Sequence, residues 1–178
     1  MERSKIVQLD GDGSIEREEE TNPGKLTIIP MRLEHARDIA DWHYPGFYSF
    51  YDLRHYPEDI EEIFDESRWG INLFSVLDGK GKLFGEVSFQ EDGDELEIGI
   101  AMRPDMVGKR MGQTLLQAGM DFARSRFEFD IFRISVWKLN GRAIRVYERS
   151  GFQSEGEFFN HIQGIEYLFI RMTRRKDP

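Results

Sequence analysis

A short turn between an apolar segment and an amphipathic segment constrains the fold of this chain most strongly. Residues 96–102 are largely apolar, as in a buried strand, and the polar residues 103–105 close that run. Large apolar residues then recur through residues 111–123 at the spacing of a helix face. The pattern predicts a strand, a glycine-containing turn at residues 107–112 (Val-Gly-Lys-Arg-Met-Gly) and a helix that begins at the turn.

The turn at residues 107–112 has the chemistry of an anion-binding site. The first N–H groups of a helix have no partner inside it, and they lie at the positive end of the helix dipole. A phosphate binds well there, and Lys109 and Arg110 add two positive charges. Many strand–turn–helix junctions carry a glycine and bind nothing, so the turn alone leaves both interpretations open.

A second motif occupies residues 140–152. Asn140 is suited to begin a helix because its side chain can accept from first-turn N–H groups. Ala143 and Tyr147 follow on one helix face, and Gly151 is suited to end the helix. Taken alone, this motif predicts a capped amphipathic helix with a tyrosine in the core.

Turn signals and apolar periodicity predict the element order β-α-α-β-β-β-α-β-α-β-β. This order indicates a mixed α/β domain at residues 26–178. Residues 1–25 carry the acidic run 16–20 and the turn signal 22–24, and they are predicted to be an N-terminal extension.

Composition limits the possible functions. The chain has 178 residues, no cysteine and a net charge of −9. Disulfides, thiolate nucleophiles and cysteine-based zinc sites are therefore excluded, and no bound metal is expected. An acidic chain with no apolar run near ~20 residues is not expected to bind nucleic acid or to enter a membrane. No apolar signal segment is visible, so a cytoplasmic location is expected.

The two motifs together resemble the GNAT family of acetyl-CoA-dependent N-acyltransferases, over residues 26–173. The family's cofactor motif, Gln/Arg-x-x-Gly-x-Gly/Ala, falls on residues 107–112, where Val107 and Arg110 depart from it. The family's later motif, Asn-x-x-Ala-x-x-x-Tyr-x-x-x-Gly-Phe, is matched in full at residues 140–152. Two motifs in the right order are more specific than either one alone.

The resemblance implies a single GNAT-like α/β domain of mixed α+β type, with a mostly antiparallel twisted sheet of about seven strands flanked by about four helices. The pattern is most similar to the ribosomal-protein and polyamine acetyltransferase branch. It implies an N-acetyltransferase that moves an acetyl group from acetyl-CoA to a primary amine by direct transfer in a ternary complex. A CoA-binding module without turnover, acting as a sensor or interaction protein, is the alternative.

The resemblance also implies which residues form the site. Tyr147 would be the general acid that protonates the departing thiolate. The implied cofactor-binding residues are Ile100, Ala101, Met102, Val107, Gly108, Lys109, Arg110, Met111, Gly112, Gln113, Asn140, Ala143 and Tyr147.

The general base is left open among several groups. Glu97 is the leading candidate, since related enzymes often carry a glutamate at this distance before the proline. Glu86, on the adjacent predicted strand, is a second carboxylate that would flank the cleft. His43 and His55 are further candidates because histidine is a common general base, but neither shows a paired acid in the sequence. A chain of water molecules could serve instead.

The acceptor and the assembly are also left open by the residues. Five aromatic residues within 44–51 are expected to pack under the sheet or to enclose an amine by cation–π contact. A protein N-terminus, a polyamine, an aminoglycoside or another small amine would suit such a site. The apolar C-terminal strand offers an edge for pairing with a second copy, as a homodimer.

Overall fold

A computed structural model describes residues 24–176. The predicted extension at residues 1–25 lies outside the described residues, except for Gly24 and Lys25. Within the described part, the chain forms seven strands and four α-helices in the predicted order. They are β1 (Thr27–Pro30), α1 (Leu33–Ala40), α2 (Pro57–Phe64), β2 (Leu73–Leu77), β3 (Leu83–Asp92), β4 (Glu95–Met102), α3 (Gly112–Arg124), β5 (Ile131–Trp137), α4 (Gly141–Arg149), β6 (Gln153–Ile162) and β7 (Ile165–Arg175).

The strands form one sheet in the order β1-β2-β3-β4-β5-β7-β6. Each neighbouring pair is antiparallel except β4 and β5, which run parallel. The predicted mixed α/β class with a mostly antiparallel sheet is confirmed. The prediction that the C-terminal strand offers a free edge is wrong for residues 169–173, because β7 pairs there with both β5 and β6.

Two hydrophobic cores lie on opposite faces of the sheet. The first face is covered by α3 and α4, and it buries Ile98 of β4, Leu115 of α3 and Tyr147 of α4. The second face is covered by α1 and α2, whose Ile39 and Ile63 pack against the sheet. Helices on both faces of the sheet can therefore contribute side chains to the site.

The helices begin and end where local chemistry requires. Pro57 is at the first position of α2, where its missing N–H costs no hydrogen bond. Gly151 follows α4 at φ 84°, a left-handed conformation that glycine adopts without strain. Even α3, at 13 residues, is short, and no helix within residues 24–176 is long and apolar enough to cross a membrane.

Candidate active site

Strands β4 and β5 separate part-way along their length, and this gap is the centre of the candidate site. Their register holds three residue pairs and ends at Glu97 opposite Arg133. Beyond that point β4 continues beside β3 to Met102, and β5 continues beside β7 to Trp137. Among the described residues, the β4 backbone at 98–102 has no strand partner on its β5 side. Such an edge presents main-chain polar groups that can pair with a ligand.

The turn at residues 107–112, here called the cofactor turn, follows the end of β4. Gly108 and Arg110 have positive φ angles, 85° and 64°. Helix α3 begins directly after the turn without a side-chain cap. Within residues 24–176, the N–H groups of Gly108, Arg110 and Gly112 have no acceptor. The turn thus carries several free donors at the positive end of a 13-residue helix.

Side chains anchor the cofactor turn from both faces of the sheet. Val107 packs against the second core, and Met111 is buried in the first. Lys109 and Arg110 are exposed. A Cβ added at Gly112 would lie 3.4 Å from Val146, so α3 and α4 pack closely here. Arg110 lies where the family pattern has its first glycine. It is exposed to solvent, and its positive φ is strained for a residue with a side chain.

Asn140 connects the start of α4 with the segment before α2. Its Oδ1 accepts from the Ala143 N–H at 3.1 Å, so the predicted N-cap contact is present. Its Nδ2 donates to the Tyr51 hydroxyl at 2.9 Å. Burial raises the pKa of Tyr51 to about 12, although the hydrogen bond from Asn140 lowers it. One amide thus links a helix of the first face to a residue of the second.

Tyr147 is buried on α4, close to Tyr51. Its ring centroid is 6.2 Å from that of Phe152. Burial raises the pKa of the Tyr147 hydroxyl, and the neighbouring Tyr51 adds to the effect. Within residues 24–176 this hydroxyl has no hydrogen-bond partner. Tyr147 is therefore a protonated group whose hydroxyl is available to a ligand.

Glu97 lies where the pairing of β4 and β5 ends, and its carboxylate is held by Arg133. The Arg133 Nε and Nη2 atoms donate to Glu97 Oε2 at 3.1 and 3.0 Å. Nη1 of the same arginine donates to Asp92 and Glu95 at 2.9 and 2.7 Å. Sequence reasoning missed this arginine. The structure therefore places the leading candidate base in a network of three carboxylates around one guanidinium.

Glu86 of β3 lies on the second face, opposite the separated part of β4. It pairs with Ala101 of β4 on one side and with Ser75 of β2 on the other. Directly opposite residues share a sheet face, and Ala101 packs against the second core. The side chain of Glu86 is therefore directed towards α2, where Asp59 and Glu62 lie within electrostatic reach.

Tyr44 and Asp52 complete the second face, and neither was predicted as a site residue. The Tyr44 hydroxyl donates to the Met102 carbonyl at 3.0 Å, which places it at the end of β4. The fully buried Asp52 accepts from the Tyr44 N–H at 2.8 Å and from His43 Nδ1 at 2.5 Å. His43 therefore does have a paired acid, nine residues along the chain, that the sequence did not reveal. The acceptor-side cluster below means Tyr44, Asp52, Asp59, Glu62 and Glu86.

The aromatic run at residues 44–51 divides between packing and exposure. Tyr44 is buried, and Tyr48 and Tyr51 pack against the second core. Phe50 stacks on Trp137, the last residue of β5, with ring centroids 4.4 Å apart. Phe47 contacts the same tryptophan and is 53% exposed. These rings thus border the open end of the gap.

Other parts of the surface add less. A cavity of about 690 Å³ lies between β1 and α3, beside Arg110 and Gln113. It flanks the cofactor turn rather than the acceptor-side cluster. Within residues 24–176, no group of three or more His, Asp or Glu side chains is arranged to hold a metal ion.

Comparison with known proteins places this geometry in a family. Residues 25–153 match the model of the acetyltransferase (GNAT) domain. This chain belongs to the GNAT acetyltransferase family. It is an enzyme of the acyltransferase class, as predicted, and the family uses acetyl-CoA as co-substrate.

The most informative relatives are bacterial acetyltransferases. A spermidine N(1)-acetyltransferase of Vibrio cholerae serotype O1 is 24% identical over 164 residues, 85% of this chain and 90% of the relative. A GNAT-family acetyltransferase of Bacillus anthracis has a TM-score of 0.67 at 19% identity, over 84% of this chain and 94% of that one. A dodecameric spermidine N-acetyltransferase of Vibrio cholerae has a TM-score of 0.63 at 22% identity, over 84% and 93%. The predicted resemblance to the GNAT family and its polyamine branch is confirmed.

Proposed function

We propose that this protein transfers the acetyl group of acetyl-CoA to a primary amine by direct attack in a ternary complex. The observation that carries the proposal is the gap between β4 and β5, with the cofactor turn at one end of it. Without cysteine, the chain has no thiolate that could carry the acetyl group. Direct transfer is then the simplest path.

The residues around the gap suit acetyl-CoA. The free N–H groups of Gly108, Arg110 and Gly112, together with the first turn of α3 at Gln113, would hold the pyrophosphate. Exposed Lys109 and Arg110 would add charge. The β4 backbone at Ile100, Ala101 and Met102 would pair with the amides of the pantetheine arm, as in strand addition. Met111, Val107, Asn140 and Ala143 would shape the surrounding surface.

Tyr147 would supply the proton that the departing thiolate needs. Burial raises its pKa, so the hydroxyl carries its proton at neutral pH and can act as the acid when it lies at hydrogen-bond distance from the sulfur. Its hydroxyl has no competing partner among the described residues. The general base lies among the carboxylates of the second face, where Glu97 was the candidate from the sequence.

The acceptor that suits this site best is a small polycationic amine. The acceptor-side cluster supplies four carboxyl groups, and Phe47, Phe50 and Trp137 border the opening. Carboxylates attract cations over distance, and aromatic faces stabilise them at contact. Two of the relatives, both from Vibrio cholerae, are named spermidine N-acetyltransferases, which supports the same choice.

A matched pair of acceptors tests this function. The full chain would be incubated with acetyl-CoA and spermidine, n-butylamine or a peptide with a free N-terminus, and acetylated products would be quantified by mass spectrometry. We expect kcat/KM for spermidine to exceed that for n-butylamine by at least about 10-fold. One additional hydrogen bond to a charged group contributes about 1.5–3 kcal/mol, and about 1.4 kcal/mol corresponds to a factor of ten.

The outcomes separate the alternatives. Preference for the peptide or for n-butylamine would contradict a polycationic acceptor. Absence of any product, with acetyl-CoA still raising the thermal stability of the protein, would favour a CoA-binding module without turnover.

A further inference from the structure

Glu86 occupies a position that the proposed reaction needs and that the family motifs do not specify. It is directly opposite Ala101 in the β3–β4 register. Ala101 belongs to the part of β4 that has separated from β5, along which the pantetheine arm is proposed to lie. Opposite residues of antiparallel strands have Cβ atoms about 5 Å apart. The Glu86 carboxyl therefore lies on the second face of the sheet, beside the proposed position of the thioester.

The groups that face Glu86 come from every element packed against it. Helix α2 contributes Asp59 and Glu62, and Arg68 follows in the next turn. Tyr44 and Asp52 are also close to Glu86. The pKa of the Tyr44 hydroxyl is raised mainly by burial, and the charges of Glu86 and Asp52 raise it further. Ser75 of β2 lies directly opposite Glu86 on the neighbouring strand, and its hydroxyl is 2.8 Å from His35 Nδ1. Negative charge dominates these surroundings.

The Glu86 carboxylate forms no ion pair with any cation among the described residues. Within residues 24–176 it has neither a hydrogen-bond donor nor an ion-pair partner. The nearest positive group, Arg68, donates instead to Glu62 at 2.5 Å and to Asn72 at 3.3 Å. A carboxylate left without a cation in such a place favours a proton or a cationic ligand.

Glu97 on the same face of the sheet has the opposite surroundings. Two nitrogen atoms of Arg133 donate to one of its oxygens at 3.0 and 3.1 Å. Arg133 is itself largely buried. The Glu97 carboxylate is thus engaged in an ion pair with Arg133. Of the two candidate carboxylates, Glu86 is the one without a partner among the described residues.

The protonation of Glu86 is consistent with this difference. Burial raises the pKa of Glu86 to about 7, and the negative charge of Asp59 contributes in the same direction. Arg68 opposes them. A general base is most effective when its pKa lies near the working pH.

We propose that Glu86, rather than Glu97, accepts the proton that the acceptor ammonium must lose before it attacks the thioester. This inference rests on the proposed acetyl transfer. The neighbouring Asp59 and Glu62 act as positioning residues, because their charge attracts the ammonium group towards Glu86.

The proton balance of the step is as follows. One proton passes from the ammonium nitrogen to the Glu86 carboxylate, which leaves a neutral amine. The nitrogen lone pair forms the N–C bond to the acetyl carbon, the C–S bond breaks, and its electron pair leaves on sulfur. Tyr147 gives its hydroxyl proton to that sulfur. The second nitrogen proton returns to the Tyr147 oxygen through water, and Glu86 releases its proton to solvent.

Three carboxylate-to-amide variants of the full-length protein test this assignment. They are Glu86→Gln, Glu97→Gln and, as a control with the same charge change on the same strand, the exposed Glu91→Gln. For each, kcat/KM with spermidine would be measured from pH 5.5 to 10, alongside thermal stability in the same buffers and the stabilisation by acetyl-CoA.

For Glu86→Gln we expect kcat/KM to fall by about 100-fold at pH 7.5, within the usual range for a general base. The rise in rate that follows a pKa near 7 should disappear. The defect should shrink as pH approaches 10, where the free amine itself becomes abundant. Stabilisation by acetyl-CoA should stay unchanged, and Glu91→Gln should behave as wild type.

The stability curve gives a second readout that needs no turnover. A folded-state pKa raised above the unfolded value makes the native state bind more protons between the two values. Wild-type stability should therefore fall as pH rises from about 4.5 to about 7. In Glu86→Gln this fall should be reduced.

The results that would overturn the assignment are distinct from a failure of the proposed function. Suppose that wild type acetylates spermidine and that its rise in kcat/KM near pH 7 is lost in Glu97→Gln but kept in Glu86→Gln. Glu86 is then not the base. If Glu86→Gln loses activity equally at every pH, its role is structural and the proposal fails. If wild type acetylates no amine at all, the proposed function fails and this inference fails with it.

Discussion

The two sides of the β4–β5 gap recognise their ligands by different means. On the side of the cofactor turn, backbone N–H groups and the start of α3 provide the contacts, and the exposed Lys109 and Arg110 are positive. On the other side, the acceptor-side cluster provides side chains, and most of their charge is negative. The polarity of each side suits the opposite charge of its proposed ligand, an anionic cofactor and a cationic amine.

This difference predicts where substitutions will matter. Backbone donors survive most side-chain changes, so the cofactor turn should tolerate substitution provided that its φ angles are kept. The acceptor side and the Tyr147 hydroxyl act instead through single side-chain groups, so removing one oxygen atom can abolish their function. Substitutions at three further positions, each with a control variant and in order of decreasing expected effect, test the contrast.

The largest effect is expected at Tyr147, the side chain proposed to act on the cofactor sulfur. Tyr147→Phe removes only the hydroxyl, and kcat should fall by about 100-fold or more, as for loss of a general acid. Stability should change little, because the hydroxyl has no described hydrogen bond to lose. Steady-state kinetics and urea unfolding of the same preparation would measure both quantities.

Tyr51→Phe is the matched control for Tyr147→Phe. It removes a neighbouring buried hydroxyl that accepts from Asn140, and its kcat should stay within a few-fold of wild type. Equal losses of kcat in the two variants would assign the effect to packing of the tyrosine pair and remove the acid role from Tyr147.

A smaller effect is expected at Asn140, the residue that joins the two sides. Asn140→Ala removes both the cap of α4 and the donor to Tyr51, and should lower the free energy of unfolding by about 1 kcal/mol. Asn140→Asp keeps an oxygen that can accept from Ala143 and should cost less than half as much. Urea unfolding at neutral pH would measure the free energy of unfolding of both variants. Equal losses in Asn140→Ala and Asn140→Asp would show that the cap does not stabilise α4.

The smallest effect is expected at Arg110, the strained position of the cofactor turn. Its φ of 64° costs a non-glycine residue about 1–2 kcal/mol, whereas glycine adds about 0.5–1 kcal/mol of chain entropy in the unfolded state. Arg110→Gly should therefore stabilise the protein by about 0.5 kcal/mol.

Lys109→Gly removes the same charge at a position whose φ is not positive, and should destabilise the protein by a similar amount. Thermal unfolding of the two variants isolates the backbone contribution from the charge. If both variants lose stability, the turn is not strained at Arg110.

The sequence predicted the elements that depend on local chemistry. The periodicity of residues 111–123, the cap at Asn140 and the glycine at 151 each act over a few residues, and the corresponding helices begin and end there. The sequence also has a turn signal, Asp92-Gly93-Asp94, and this turn fixes the β3–β4 register that sets Glu86 opposite Ala101. That pairing could have been derived from the turn.

The partners of the charged groups could not be derived in this way. Glu97 and Arg133 are 36 residues apart, and they meet because β4 and β5 are parallel neighbours. Parallel strands are joined through a crossover, so no short turn records their register. The pairing of His43 with Asp52 depends on the segment between them. Its sequence has neither helical nor strand periodicity, and it folds as a short 3-10 helix at Gly46–Tyr51.

By itself, the sequence of this protein determined its elements, their order and the two motifs that mark it as a GNAT acetyltransferase, because these follow from contacts between near neighbours along the chain. The tertiary structure alone decided where β4 leaves β5, and so which backbone groups are free. It also decided which of two similar carboxylates is held by an arginine. Both outcomes depend on residues that are distant in sequence and adjacent in space, where charge and burial fix the chemistry of each group.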